Sequence, residues 1–311
     1  MAPVSAVFVD VDTGIDDALA MIYLLASDTD LIGIASTGGN IAVDQVCANN
    51  LGLLDLCRAA PIPVSRGADR PLNGERPRRG DFHGPNGVGY AELAPSTRRL
   101  TDHDAATAWV RAAHAHPGEL VGLATAPLTN LALALRIEPE LPALLRRLVI
   151  MGGVFDGQGP PEWNVRVDAE AAAEVFAAWA GRPRLPVVCG LDLTRKVVMT
   201  PDMLDGLPGP APVTRFVEDA MRFYFEVYRD RGLGYLAHLH DPLAAAVALD
   251  PQLVRTRPAT VDVEVSGNPG MTTADWSGAR KPNAQIGIDV DATEFFDRFT
   301  QRVAAFARRT K

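Results

Sequence analysis

The stretch VFVDVDTGIDDALA, residues 7–20, sets four carboxylates, Asp10, Asp12, Asp16 and Asp17, within eight positions at the end of an apolar run. Carboxylates crowded at a partly buried strand end repel one another and are costly to desolvate. Protonation of some of them, or a bound cation, relieves that cost. Oxygen-only ligands favour a hard ion, Ca²⁺ or Mg²⁺, over zinc. Capping of the next helix would account for Asp16 and Asp17 but not for Asp10 and Asp12. Far along the chain, HLHDPLAAAVAL brings a further acid, Asp241, to the start of a helical pattern with Pro242 in its first turn. His240 beside it is a candidate proton donor. His238 and His240 could instead be half of a zinc pair, although no third soft ligand is nearby.

These groups need a frame that brings them together. AVFVD reads as a buried strand and DDALAMIYLLAS as a helix. LIGIAST, ELVGLAT, RRLVIMGG and LPVVCGLDL read as further strands, each joined to a helical pattern. Continuous apolar strands alternating with helices imply a parallel sheet covered on both faces. The expected fold is therefore one α/β domain over residues 1–311, an open, mostly parallel, Rossmann-like sheet with helices on both sides. Ligands bind such sheets beyond the carboxyl ends of the strands. Those ends supply Asp10 and Asp12, Asn40, Thr125, Met151, and then Asp192 and Thr194. Read one at a time, several candidates have plainer roles. Asn40 can be a turn residue, Met151 a core residue, Tyr224 and Tyr228 a packed helical pair. Glu162 and Asn164 can be an exposed strand edge, and His83 a loop histidine.

Composition narrows the partners. The chain has 311 residues, 47% of them hydrophobic and 22% charged, with a net charge of −8. That balance argues against a nucleic-acid surface. No apolar run approaches the ~18 residues of a membrane span, and the N-terminus lacks the basic start of a signal peptide. Cys47, Cys57 and Cys189 sit in apolar patterns and read as reduced core thiols of a cytoplasmic protein.

Taken together, these stretches resemble the nucleoside hydrolase family, the inosine-uridine-preferring N-ribohydrolases. DVDTGIDDA resembles its aspartate cluster, TGGN its second-strand asparagine, and FHGPNGVG its His-Gly loop. TAPLTN, MGG, EWNVRVDAEAA and HDPLAAA follow in the family's order, to about residue 245. The resemblance implies hydrolysis of the N-glycosidic bond of ribonucleosides to ribose and free base. It implies a Ca²⁺ site made by Asp12, Asp17, Asp241 and the Thr125 carbonyl, with Asp10 behind it. Asp12 would be the general base and His240 the acid. Asp16, Asn40, Glu162 and Asn164 would hold ribose hydroxyls, with Met151 under the sugar. His83 and His240 would flank the base, with Tyr224 and Tyr228 as possible partners in a mobile helix, and variable loops near residues 76–90 and 222–240 would build its pocket. Relatives of this kind are homodimers or homotetramers. Arg195 and Lys196 depart from the pattern, which carries less charge there, and the segment holding Gln158 is short. Two alternatives keep some of the same residues. VFVDVDTG is also similar to the Asp-x-Asp of haloacid-dehalogenase-like phosphatases, but Gly14 stands where that family has Thr or Val. A non-catalytic nucleoside-binding protein could keep the fold.

Overall fold

The computed structural model describes residues 6–75, 77, 81–209 and 211–310. The N-terminal residues read for a leader, and residues 76 and 78–80 of the expected base loop, lie outside that range. The described residues form eleven strands, nine of them in one sheet. In chain order they are β1 Ala6–Val11, β2 Asp30–Ser36, β3 Val64–Arg66, β4 Leu120–Ala124, β5 Leu145–Met151 and β6 Val187–Cys189. A short ladder, β7 Val198–Met199 with β8 Ala237–His238, stands apart, and β9 Val254–Val263, β10 Thr272–Asp275 and β11 Ala284–Val290 complete the sheet. The helices are α1 Ile15–Leu25, α2 Val43–Leu56, α3 Ala105–Ala115, α4 Thr129–Ile137, α5 Leu141–Leu144 and α6 Trp163–Val167. They continue with α7 Ala169–Ala178, α8 Leu191–Thr194, α9 Pro212–Asp230, α10 His240–Leu249 and α11 Ala292–Arg309.

The sheet order is β10-β9-β11-β6-β5-β4-β1-β2-β3. Every pair from β11 to β3 is parallel; β9 runs antiparallel to both β10 and β11. The expected single, mostly parallel sheet is what forms, with an antiparallel edge added. One core layer packs α1, α2, α9, α10 and α11 on one face; the other packs α3, α4 and α7. Burial on both faces explains why β1, AVFVDV, is apolar without alternation until its acids.

Register aligns the strand ends. Asp10 lies beside Ala35 of β2 and Ala124 of β4, and Met151 beside Cys189. Pairing runs on past the strands: Thr37 N–H donates to the Val11 carbonyl and Thr125 N–H to the Asp10 carbonyl, each at 2.9 Å. The loops bearing Asp12, Asn40 and Thr125 therefore leave the sheet side by side.

One strand is shorter than the sequence suggests. VVCGLDLT ends as a strand at Cys189, and α8 follows as one helical turn. Asp192 is consequently turned away from the expected site. Its carboxylate accepts the Phe155 and Asp156 N–H groups at 2.8 and 2.9 Å and fixes that turn. All three cysteines are buried and free. Burial pushes the Cys57 and Cys189 thiols up to about 12, which makes them poor nucleophiles. No described helix is long and apolar enough to cross a membrane.

Candidate active site

A cavity of about 540 Å³ opens at the carboxyl edge of the sheet. Its floor is acidic. Asp16, Asp17 and Asp241 are buried, and one carboxylate oxygen from each lies within 4.8 Å of the others. Asp16 and Asp17 come from the first turn of α1, Asp241 from the first turn of α10. Those two helices pack against each other, so two chain segments more than 200 residues apart deliver one cluster. Burial drives the Asp241 carboxyl well above the usual carboxylate range. The neighbours acting on it, Asp16, Asp17, Asp12 and Glu162, are all acids and push the same way. Such a set of hard oxygen donors fits a cation of the Ca²⁺ or Mg²⁺ kind.

Each acid is held differently. Asp12 accepts the Asn40 backbone N–H at 2.6 Å and the Asn40 amide at 3.1 Å. Asp17 accepts the Gly14 N–H at 2.9 Å, the Thr125 hydroxyl at 2.7 Å and the Asn40 amide at 3.2 Å. Asn40 thus ties two carboxylates that would otherwise separate. Asp10 lies deeper. It accepts from Thr37, Asn130 and the Trp109 indole at 2.6, 3.0 and 2.8 Å. Burial holds its carboxyl above the ordinary range against those bonds.

Glu162 is the N-cap of α6, and its carboxylate accepts the N–H groups of Gly153, Asn164 and Val165 at 2.9–3.1 Å. It is a buried capping residue, not an exposed strand edge. The Asn164 side-chain N–H₂ donates to the Thr125 carbonyl at 2.6 Å and to the Met151 carbonyl at 3.3 Å. Both donors are spent on the protein, which leaves its amide oxygen for a ligand.

Aromatic rings line the cavity as well. Tyr224 and Tyr228, one turn apart on α9, meet edge to face at 5.1 Å between ring centroids. Tyr224 reaches Asp16 at 3.4 Å, and Tyr228 reaches His240 Nε2 at 3.3 Å. His240 Nδ1 lies 2.7 Å from the Thr194 hydroxyl. Among the described residues no histidine joins the three-acid cluster, and both His240 nitrogens face hydroxyls. His83 Nδ1 accepts the Ile15 N–H at 3.0 Å. Its proton therefore sits on Nε2, and the 3.8 Å approach of Nδ1 to Asp16 is not an ion pair.

The profile of the inosine-uridine preferring nucleoside hydrolases matches residues 7–297. This chain belongs to that family. It is 34% identical over 308 residues to the pyrimidine-specific ribonucleoside hydrolase RihA of Salmonella newport, covering 96% of this chain and 98% of that one. The purine-preferring ribonucleoside hydrolase of Gardnerella vaginalis superposes with a TM-score of 0.91 at 30% identity, covering 98% and 99% of the two chains. An inosine-guanosine nucleoside hydrolase superposes with a TM-score of 0.87 at 28% identity, over 96% and 98%. The protein is a nucleoside hydrolase, which removes the phosphatase and the non-catalytic binding module.

In this nucleoside hydrolase the expected residues gather at one edge. Asp16, Asn40, His83, Thr125, Met151, Glu162, Asn164, Tyr224, Tyr228, His240 and Asp241 line the cavity, while Asp10, Asp12 and Asp17 lie beneath or beside it. The tightest acid trio includes Asp16, which the resemblance puts on ribose. Asp12, which it puts on the metal, carries the Asn40 clamp. The Thr125 carbonyl carries the Asn164 amide. Gln158 does not line the cavity; its backbone N–H donates to Asp156. Sequence reasoning missed Phe82, Trp163, Arg166, Arg195 and His238 as lining residues, and Thr37, Trp109 and Asn130 as the shell of Asp10. Arg195 had a signal, as a charge out of pattern, and so did His238, as half of the zinc pair weighed above.

Gly14 tests the clamp. Its φ of −85° suits any residue, but a Cβ there would lie 2.7 Å from both the Asn40 amide nitrogen and His83 Nδ1. Gly14→Ala is expected to fold and to lose activity by ~10²-fold, the scale of a 1 Å misplacement. Circular dichroism beside kcat/KM checks it; full activity would mean that neither side chain's position matters.

Proposed function

We propose that this enzyme cleaves ribonucleosides to ribose and free base with the help of one Ca²⁺ ion, held by Asp12, Asp17, Asp241 and the Thr125 carbonyl. The observation carrying this reading is a single cavity lined both by acids and amides and by aromatic rings and histidines. The first suits a sugar's hydroxyls, the second a planar base. When bound, the ion orients and acidifies the attacking water.

The chain's own groups supply the rest. Asp12 takes the proton from the water as general base. The Glu162 carboxylate, anchored by three backbone N–H groups, accepts from a ribose hydroxyl, and the Asn164 amide oxygen does the same. Asp16 and Asn40 hold the remaining ribose hydroxyls, and Met151 lies under the ring. These contacts fix the anomeric carbon for in-line displacement. The sugar carries positive charge in an oxocarbenium-like transition state, which the acidic floor stabilises. His240, oriented by Thr194, hands a proton to the departing base. His83 Nε2–H, Tyr224 and Tyr228 enclose that base. Buried, unreactive thiols fit a cytoplasmic enzyme of nucleoside salvage, and by family likeness it is a homo-oligomer.

Steady-state assays of inosine, uridine and their 2′-deoxy counterparts test this reading. A site built around substrate hydroxyls leaves its own polar groups unpaired when one is missing, at a cost on the order of 10²-fold or more. Equal turnover of uridine and deoxyuridine would overturn the ribose assignment.

A further inference from the structure

Two adjacent side chains have no part in the mechanism above, yet both are bonded to the loops that carry it. Asn49 and Asn50 lie in the middle of α2 and are buried. Asparagine is a weak helix former, and a buried amide is costly unless its hydrogen bonds are made. Most of their bonds run off the helix. Asn50 Oδ1 accepts the Thr13 hydroxyl, and its amide donates to the Ser36 hydroxyl at 3.0 Å. Asn49 Nδ2 donates to the Asn86 carbonyl at 2.8 Å and to the Thr13 carbonyl at 3.4 Å, while its Oδ1 accepts from the Gln45 amide at 2.9 Å. Thr13, between Asp12 and Gly14, is thereby held on both sides. Asn86 belongs to the loop that carries His83. That loop is closed on itself by the Gly87 N–H on the Gly84 carbonyl and the Gly89 N–H on the His83 carbonyl. One amide nitrogen therefore bridges the acid-bearing loop and the histidine-bearing loop. The approach excludes a side chain at Gly87, whose φ is +81°. A Cβ there would lie 2.5 Å from Ile41 Cδ1, 3.0 Å from the Thr13 carbonyl oxygen and 3.1 Å from Asn49 Nδ2.

We propose that Asn49 is a positioning residue for His83, holding the His83 loop in register with the acid-bearing loop. The inference rests on the reading above, in which His83 borders the base, and deepens it. The His83 loop meets the acid-bearing segment directly at one point, where His83 Nδ1 accepts the Ile15 N–H at 3.0 Å. A loop pinned at one point can swing about it. The Asn49 bridge to Asn86, three residues on, is a second pin, and two pins fix the orientation of the ring at the cavity. A primary amide nitrogen suits this task because it carries two donors. With both on one atom, the two loops cannot separate without breaking a bond and leaving a buried group unpaired. The ribose-holding and base-holding groups are thus kept at a set distance across the bond that breaks, which is where placement governs rate.

A double-variant cycle separates positioning from general support. Asn49→Ala should lower kcat/KM for the best nucleoside about tenfold, the scale of one hydrogen bond. In a His83→Ala background the same change should cost less than about twofold, because the ring that it positions is gone. Gly87→Ala reaches the contact from the other loop and replaces Asn49→Ala if that variant does not fold; its cost should depend on His83 in the same way. Equal costs in the two backgrounds would overturn the inference, as would full activity of Asn49→Ala where His83→Ala is impaired. Nitrogen NMR of the imidazole reads the linkage without turnover. In the unsubstituted protein His83 should show one neutral tautomer, with its proton on Nε2. Asn49→Ala should mix the two tautomers, and an unchanged His83 signal would overturn the inference. The two readings fail differently. If His83→Ala alone leaves kcat/KM unchanged, His83 does not border the base, and the NMR signal decides whether Asn49 holds it.

Discussion

Replacing Asp241 by asparagine is expected to reduce nucleoside hydrolysis by at least about 10³-fold, the few kcal/mol that a catalytic cation supplies. The same variant should carry no Ca²⁺ where the unsubstituted protein carries about one per chain on the proposed assignment. Its stability should move in the other direction when metal is withheld. Burial and four surrounding acids raise the Asp241 carboxyl well above its ordinary value. A group whose folded pKa is raised holds more protons in the native than in the unfolded state between the two values. Stability then falls as pH rises through that window. The metal-free protein should accordingly unfold more easily at pH 7 than at mildly acidic pH, as far as this cluster contributes. Ca²⁺ at a hundred times its dissociation constant should return ~2.7 kcal/mol, a rise of several degrees in Tm. Asp241→Asn removes one buried charge, so its metal-free form should melt above the metal-free parent and ignore added Ca²⁺. Calorimetry with and without chelator checks both halves. A Ca²⁺ response that survives in the variant, or zinc in the active protein, would remove the assignment.

Much of this site was legible in the sequence because its chemistry is local. Asp10, Asp12, Asp16 and Asp17 fall within eight residues, and an apolar run that ends in acids sets burial against charge at one strand end. The sheet was legible for the same reason. Its strands β1, β2, β4 and β5 are near-continuous apolar runs, each followed by a helical pattern. What escaped depends on contacts that no local pattern encodes. Trp109 and Asn130 reach Asp10 across 99 and 120 residues, and nothing in their own surroundings announces it. The end of β6 escaped because VVCGLDLT keeps its apolar spacing while the chain turns helical after Gly190. Glu162 read as a possible exposed edge because glutamate is an unusual N-cap. Only the three N–H groups gathered around its carboxylate reveal the role. That Arg195 and His238 line the same cavity escaped because a two-residue ladder, β7 with β8, is too short to leave a periodic trace.

His240→Ala should separate two substrates that differ only in how readily the leaving group departs. A nucleobase anion leaves reluctantly, so a proton delivered in the transition state matters, by roughly 10²–10⁴-fold. The p-nitrophenolate of p-nitrophenyl riboside leaves without one. The variant is therefore expected to lose most of its activity on its best natural nucleoside and keep much of it on the aryl riboside. Asp12→Asn should lose both, because activation of water serves every leaving group. Thr194→Val tests the orientation of the ring. The Thr194 hydroxyl lies 2.7 Å from His240 Nδ1, and Tyr228 lies 3.3 Å from Nε2. Without the hydroxyl the ring keeps its chemistry and loses its placement. Thr194→Val should thus weaken nucleoside cleavage by less than His240→Ala, again sparing the aryl riboside. Equal losses on both substrates in a folded, metal-loaded His240→Ala protein would assign His240 to holding the ribose or the metal. The proton donor would then be sought at Tyr228, at a water, or at His83, which would first have to give up the Ile15 N–H that its Nδ1 accepts and take up a proton. His83→Ala should in that last case reproduce the contrast expected of His240.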